Sequence, residues 1–152
     1  EIEKLAQEGN PKAIDFPRAM LDDPFQFSFS GMKSAVINYL HNEEQARRPV
    51  NRADVAASFQ EAVTDVLVQK SVLAIKATGL KEIVLAGGVS ANKALRNKLA
   101  AAAEKAGARL VHPTKILCTD NAVMIACRGY YLYQAGVVSP WNLNAAPSLK
   151  LG

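Results

Sequence analysis

The sequence has two cysteines in 152 residues, Cys118 and Cys127. That is too few for a disulfide framework, and their spacing fits no zinc ribbon. A reduced, cytoplasmic protein is therefore the expectation, with both cysteines read as small buried residues rather than ligands. No apolar run approaches the roughly 20 residues of a membrane helix. The opening is acidic and mixed, unlike a secretory leader. Histidine is scarce, with His41 and His112 the two present. There is no Ser-His-Asp set, no catalytic carboxylate pair, no HExxH zinc signature and no P-loop. Basic residues outnumber acidic ones by a net +4, which is compatible with a polyanionic partner such as RNA. They are scattered, and Arg47-Arg48 is the one Arg/Lys doublet.

Hydrophobic residues make up 49% of the chain and charged residues 21%, the balance of a globular domain with its own core. The first residue is Glu1, and Ile2 to Glu8 reads as the body of a helix with no cap before it. The expectation is a fragment of a longer protein. Gly9-Asn10-Pro11 breaks that helix. Residues 11 to 27 hold three prolines with Phe16, Phe25 and Phe27, an ordered loop rather than a free linker. A short helix is expected over Met32 to His41, then an exposed polar stretch from Asn42 to Pro49. Asn51 to Thr78 is the longest helix, with Asn51 as N-cap, Asp54 in the first turn and Gly79 as the stop. Val55, Phe59, Val63, Val66 and Leu73 recur at helical spacing and mark a core face.

The last third alternates strand and helix. Glu82 to Ala86 and Ala108 to Val111 read as short strands. Ser90 is placed to cap a helix running to about Ala106, with Leu95, Leu99, Ala102 and Ala106 on its apolar face. Thr119 is placed to cap another, running to about Gln134 with Val123, Ala126, Tyr130 and Tyr133 along one side. Two strands joined by a crossover helix lie parallel, so the turns after both emerge on one sheet edge, where ligands of open α/β sheets bind. Gly87 to Asn92 and Thr119 to Asn121 should therefore converge.

Gly87 and Gly88 let a backbone approach a ligand closely, and a helix N-terminus beyond them favours a phosphate or another anion. Asn92 could reach a ribose hydroxyl or a phosphate. A tight turn that binds nothing has the same sequence. Asp120 at a helix start is favourable with the macrodipole alone. A carboxylate there equally suits a Mg, Fe or Zn ion, given co-ligands, and His112 lies eight residues earlier. Lys33 reads as a phosphate contact or a surface lysine, His112 as a ligand or a structural residue, and His41 as ordinary.

Three segments carry a resemblance. Phe27-Ser28-Phe29-Ser30-Gly31-Met32-Lys33 resembles the FSFSGLK motif of the TsaD family, formerly called Gcp or O-sialoglycoprotein endopeptidase. Leu85-Ala86-Gly87-Gly88-Val89-Ser90-Ala91-Asn92 resembles its AGGVAAN segment. Cys118-Thr119-Asp120-Asn121-Ala122-Val123-Met124-Ile125-Ala126 resembles its CTDNAAMIA segment. Order and spacing also fit, over essentially the whole chain.

The resemblance implies an α/β chain, the second lobe of an actin-like, Hsp70-like (ASKHA) ATPase fold. It would be helix-rich, with a partly parallel sheet, a loop and helical insertion over about 11–50, and a βαβα nucleotide and metal segment over about 80–136. It implies that Asn92, with Gly87 and Gly88, contacts a nucleotide or threonylcarbamoyl-AMP, and that Asp120 ligates a divalent metal, Fe or Zn, which polarises the carbamoyl carbonyl. The implied reaction transfers threonylcarbamoyl from its adenylate to N6 of the adenosine beside the anticodon of tRNAs reading ANN codons. TsaB, TsaE and the adenylate-making TsaC are the implied partners.

The chain departs from the family pattern in having no HxxxH, the source of the family's two other metal ligands, and no first-lobe phosphate loop. The chain alone is therefore expected to be inactive. Other readings are an actin-like ATPase or sugar kinase lobe, a metal-dependent endopeptidase as in the older family name, and a tRNA- or partner-binding module.

Overall fold

The computed structural model describes residues 1–19, 23 and 25–148, and Pro24 of the proline-bearing loop lies outside them. The order is α1 (Ile2–Ala6), α2 (Ser30–Gln45), α3 (Arg52–Thr78), β1 (Glu82–Val84), a 3-10 turn (Gly88–Ala91), α4 (Lys93–Lys105), β2 (Arg109–Val111), a second 3-10 turn (Lys115–Leu117) and α5 (Ala122–Gln134). The α/β class holds, with a small parallel sheet in a helix-rich chain.

α3 forms where its local signals put it. The Asn51 side chain accepts from the amides of Ala53 (3.0 Å) and Asp54 (3.4 Å), satisfying donors that a helix start leaves free. Gly79 ends the helix in the left-handed conformation (φ 69°), its amide bonded to the Ile75 carbonyl at 2.8 Å. The residues α3 buries fully are mostly small ones: Ala56, Ala57, Ser58, Ala62, Thr64 and Val66. They point in several directions, because α1 and α4 both pack on α3. Val55, Phe59 and Val63 are half-buried beside a cluster of Phe16, Met32 and Ala62, while Leu73 is exposed. Phe16 meets the Tyr39 ring edge-on, with centroids 6.1 Å apart.

α2 runs past His41 to Gln45, so the polar stretch from Asn42 begins as helix, and apart from half-buried Glu43 it is exposed as expected. Between α1, α2, α3 and the residues after β1 lies an apolar groove of about 1130 Å³, lined among others by Ile2, Phe29, Val36, Phe59 and Leu85.

Residues 9–18 are strapped along α3. A Cβ on Gly9 would stand 2.0 Å from the Ala53 carbonyl oxygen, so only glycine lets the two backbones approach this closely. The Asn10 amide donates to Asp54 Oδ1 (2.7 Å). Buried Ser58 donates to the Asn10 carbonyl (3.2 Å) and accepts from the Ile14 amide (3.1 Å). Lys70, fully buried on α3, donates to the Asp23 carbonyl at 2.7 Å.

α4 is held to α3 by an ionic cluster. Lys98 Nζ lies 2.6 Å from Glu61 and 2.7 Å from Asp65, and Asp65 also accepts from Arg18 Nε at 2.8 Å. Burial pushes the Asp65 carboxyl up, but the hydrogen bonds from Lys98 and Arg18 and their charges outweigh it. The net effect holds Asp65 below its ordinary 3.8.

β1 and β2 pair in parallel with Glu82 opposite Arg109, Ile83 opposite Leu110 and Val84 opposite Val111. Alternation puts Ile83 and Leu110 on one face, and their lower exposure fits the face that α4 covers. Val84, on the other face, is 66% exposed. α5 buries no residue, and Val123, Tyr130 and Tyr133, which the sequence places along one side, are exposed. The same isolation corrects the expectation for Cys127, which is exposed, whereas Cys118 is buried as expected.

Two outcomes follow for stability. Gly9→Ala should lower it by roughly 1–3 kcal/mol in denaturant unfolding, through overpacking against Ala53. Asp65 has its pKa lowered by folding, so its contribution is present above 3.8 and is lost as pH falls through the lower folded value. Asp65→Asn should cost roughly 1–2 kcal/mol at neutral pH and flatten the acid limb of the stability curve. An unchanged acid limb in that variant would remove Asp65 from this role.

Candidate functional site

The turn after β1 begins at Gly87, whose φ of 86° and ψ of 170° suit glycine alone. The chain does not enter α4 directly. It winds one 3-10 turn, in which the Ser90 amide bonds the Gly87 carbonyl and the Asn92 amide bonds the Val89 carbonyl, each at 3.0 Å. That turn places Ser90 inside it, fully buried, with an Oγ that has no partner among the described residues. Asn92, not Ser90, caps α4, accepting from the Leu95 amide at 2.8 Å. Its amide group donates to Gln60 Oε1 on α3, also at 2.8 Å.

The N-terminus of α4, read from the sequence as an anion seat, has an anion from its own chain. The Lys93 amide donates to the Glu3 carboxylate of α1 at 2.6 Å. The open backbone of this site is Gly87, Gly88 and Val89, all exposed.

After β2, residues 113–121 form the second turn. Asn121, not Thr119, caps α5, accepting from the Met124 amide at 3.1 Å. Asp120 therefore stands one residue before the cap rather than in the first helical turn, and it is exposed. Asn121 Nδ2 also donates to the Thr119 carbonyl at 2.8 Å, which shapes the backbone on both sides of Asp120.

The two turns meet. A Cβ on Gly88 would touch the Thr119 methyl at 3.9 Å. Behind that contact, Arg96 of α4 donates from Nε to the Ser90 carbonyl, and from Nη2 to the Pro113 carbonyl (3.0 Å) and Cys118 Sγ (3.1 Å). The Cys118 thiol in turn donates to the Thr114 carbonyl at 3.3 Å.

His112 is exposed, with Nδ1 3.1 Å from the Pro113 carbonyl. His41 pairs with Gln45 on the surface of α2, and Lys33 is exposed at the rim of the apolar groove. Among the described residues no group of three His, Cys, Asp or Glu side chains could hold a metal ion. Asp120 can thus supply one carboxylate, and a complete ligand set does not lie within these residues. No helix among them is long and apolar enough to cross a membrane.

Sequence reasoning missed Arg96, Glu3 and Gln60. Glu3 lies 90 residues from its partner and Gln60 lies 32, so neither had a local signal. Arg96 sits one turn beyond the Asn92 cap, the position from which a long side chain reaches back over the preceding turn.

A parallel βαβ unit with its two strand-to-helix turns tied together by Arg96 defines an α/β protein whose turns lie on the sheet edge where open α/β sheets bind ligands. Residues 1–127 match the family TsaD, described as tRNA N6-adenosine threonylcarbamoyltransferase. The chain belongs to that family. Curated relatives with that name are 56% identical in Moorella thermoacetica and 54% in Desulfitobacterium hafniense, each matched over 99% of this chain, and 52% in Symbiobacterium thermophilum over 100%. The chain spans 44% of the length of each. Among solved structures, HypF of T. kodakarensis is similar over 90% of this chain and 17% of its own, with a TM-score of 0.58 and 20% identity, a likeness of fold alone.

The cap at Asn92 gives an expectation independent of any ligand. Asn92→Ala should destabilise the isolated chain by about 1 kcal/mol in thermal unfolding, and Asn92→Asp, which keeps an accepting oxygen, by less. Equal stability of Asn92→Ala and wild type would mean the cap contributes nothing.

Proposed function

We propose that this chain is the second lobe of an actin-like ATPase fold, with a loop and helical insertion over about 11–50 and a βαβα nucleotide and metal segment over about 80–136. The protein it forms part of transfers threonylcarbamoyl from threonylcarbamoyl-AMP to N6 of the adenosine beside the anticodon of tRNAs reading ANN codons. The observation that carries this reading is the hydrogen bonding of Arg96 to both the Ser90 carbonyl and Cys118 Sγ, which ties together two of the three segments on which the family resemblance rests.

In this reading Gly87, Gly88 and Asn92 hold the adenylate. The exposed Gly87–Val89 backbone supports that role. Asn92 contributes through its second amide proton and the second lone pair of its carbonyl oxygen, since one of each serves Gln60 and α4. The N6 amine attacks the carbamoyl carbon of the mixed anhydride. A C–N bond forms, the C–O bond to the phosphate breaks, AMP leaves, and N6 gives up one proton. Asp120 is one donor to a divalent ion, iron or zinc. No step is assigned to the ion, because the remaining ligands lie outside the described residues. TsaB, TsaE and tRNA are the partners, in the cytoplasm, and the chain by itself is inactive.

The test joins the chain to the rest of its native protein and supplies threonylcarbamoyl-AMP, TsaB, TsaE and tRNA. Modified adenosine, read by mass spectrometry of digested tRNA, is expected from wild type and is expected to vanish in Asp120→Ala. Full activity in that variant would remove Asp120 from the metal role. No product from wild type would sink the transferase reading.

A further inference from the structure

Among the described residues, Arg96 is the one side chain that bonds both turns of the site. Its guanidinium takes the Ser90 carbonyl from the first, and the Pro113 carbonyl and Cys118 Sγ from the second. Ser90 lies two residues before Asn92, and Cys118 two before Asp120. We infer that Arg96 is a positioning residue whose guanidinium fixes the separation between the Gly87–Asn92 turn and the Asp120 turn, and so the geometry in which adenylate and metal would meet. The inference rests on the functional reading above for what the two turns hold, but not for the brace itself.

Three features carry it. First, the acceptors are selective. The hydrogen bonds of the Arg96 side chain run to the two turns and not to α1, α2 or α3. Removing the guanidinium therefore frees the turns from each other and leaves the α3 core in place. Second, the Ser90 carbonyl belongs to a fully buried residue whose Oγ already has no partner among the described residues. Loss of Arg96 would leave a second buried acceptor unpaired at the same residue, a costly state that the turn relieves by moving outward. Third, the fork matters as well as the charge. A guanidinium presents Nε and Nη2 donors in one rigid plane, whereas a lysine ammonium on a flexible stem cannot hold acceptors on two segments at a set spacing. The Cys118 thiol donates a hydrogen bond to the Thr114 carbonyl and its sulfur accepts one from Arg96, so the second turn is itself closed as well as tied to the first.

Cys118 makes the brace measurable without any ligand. It is buried beside the guanidinium, while Cys127 is exposed and serves as an internal reference. Under native conditions an aromatic disulfide reagent should label Cys127 quickly and Cys118 slowly in the wild-type chain. In Arg96→Met the Cys118 rate should rise by about tenfold or more, with the Cys127 rate and helical circular dichroism unchanged. Arg96→Lys should stay close to Arg96→Met. An unchanged Cys118 rate in folded Arg96→Met overturns the brace. If Arg96→Met does not fold, Arg96→Gln is measured in its place with the same expectation.

In the whole enzyme, Arg96→Met and Arg96→Lys should each lower kcat about ten- to a hundredfold with KM for tRNA unchanged, as a misplacement of about an ångström does. Wild-type kcat in both variants, with Asp120→Ala inactive, overturns the positioning role. Activity restored by lysine overturns the requirement for a fork. Full activity in Asp120→Ala overturns the site reading of the preceding section instead, and the labelling rates then decide the brace by themselves.

Discussion

α3 is the helix on which α1, α4 and residues 9–18 all pack, and the residues it buries are mostly small: Ala56, Ala57, Ser58, Ala62 and Thr64. Small side chains let backbones come close, and α1, the strap of residues 9–18 and α4 all use that closeness. Gly9 is the tightest instance, with a backbone where no Cβ could stand. Close approach forces polar groups to be satisfied on the spot. Asp54 and Ser58 therefore serve the strap, and Glu61, Thr64 and Asp65 serve Lys98 of α4. The position of α4 determines where its N-terminus, and with it the first turn of the candidate site, lies in space.

From α4 the constraint passes to the sheet edge. Asn92 is tied to α3 through Gln60, and Lys93 to α1 through Glu3, so the start of α4 is pinned from two sides. Arg96 then reaches back across the first turn and takes hold of the second. The result is a polar scaffold beneath an open glycine backbone. The helix dipole, which the sequence suggested for a ligand anion, is met by a carboxylate of the same chain. What the two turns leave exposed is the Gly87–Val89 backbone on the first and Asp120 on the second. α5 and the outer sheet face expose Ile125 and Val84, consistent with a chain that spans 44% of its relatives' length.

Much of this was legible residue by residue. The N-cap at Asn51 and the stop at Gly79 follow from conformational preferences that act within a few residues. The two strands and the parallel crossover were legible because β-branched runs and an intervening amphipathic helix leave few topologies open. The caps at the two site turns were misread by two residues. Ser, Thr and Asn cap almost equally well, so local preference could not choose between Ser90 and Asn92 or between Thr119 and Asn121. In the first turn the choice accompanies a 3-10 winding whose carbonyl is taken by Arg96, a contact that exists only once the chain has folded.

The sequence alone determined the order of elements, the two glycine- and aspartate-bearing turns on one sheet edge, and the family through three segments. These properties are local or are carried by residue identity. Tertiary structure alone decided that Glu3 closes the N-terminus of α4, that Gln60 takes half of Asn92, that Cys127 is bare while Cys118 is buried, and that Arg96 joins the two turns. Each depends on which polar atom comes within about 3 Å of another across tens of residues. Spacing along a chain does not encode that distance, because it emerges from how α1, α3 and α4 pack.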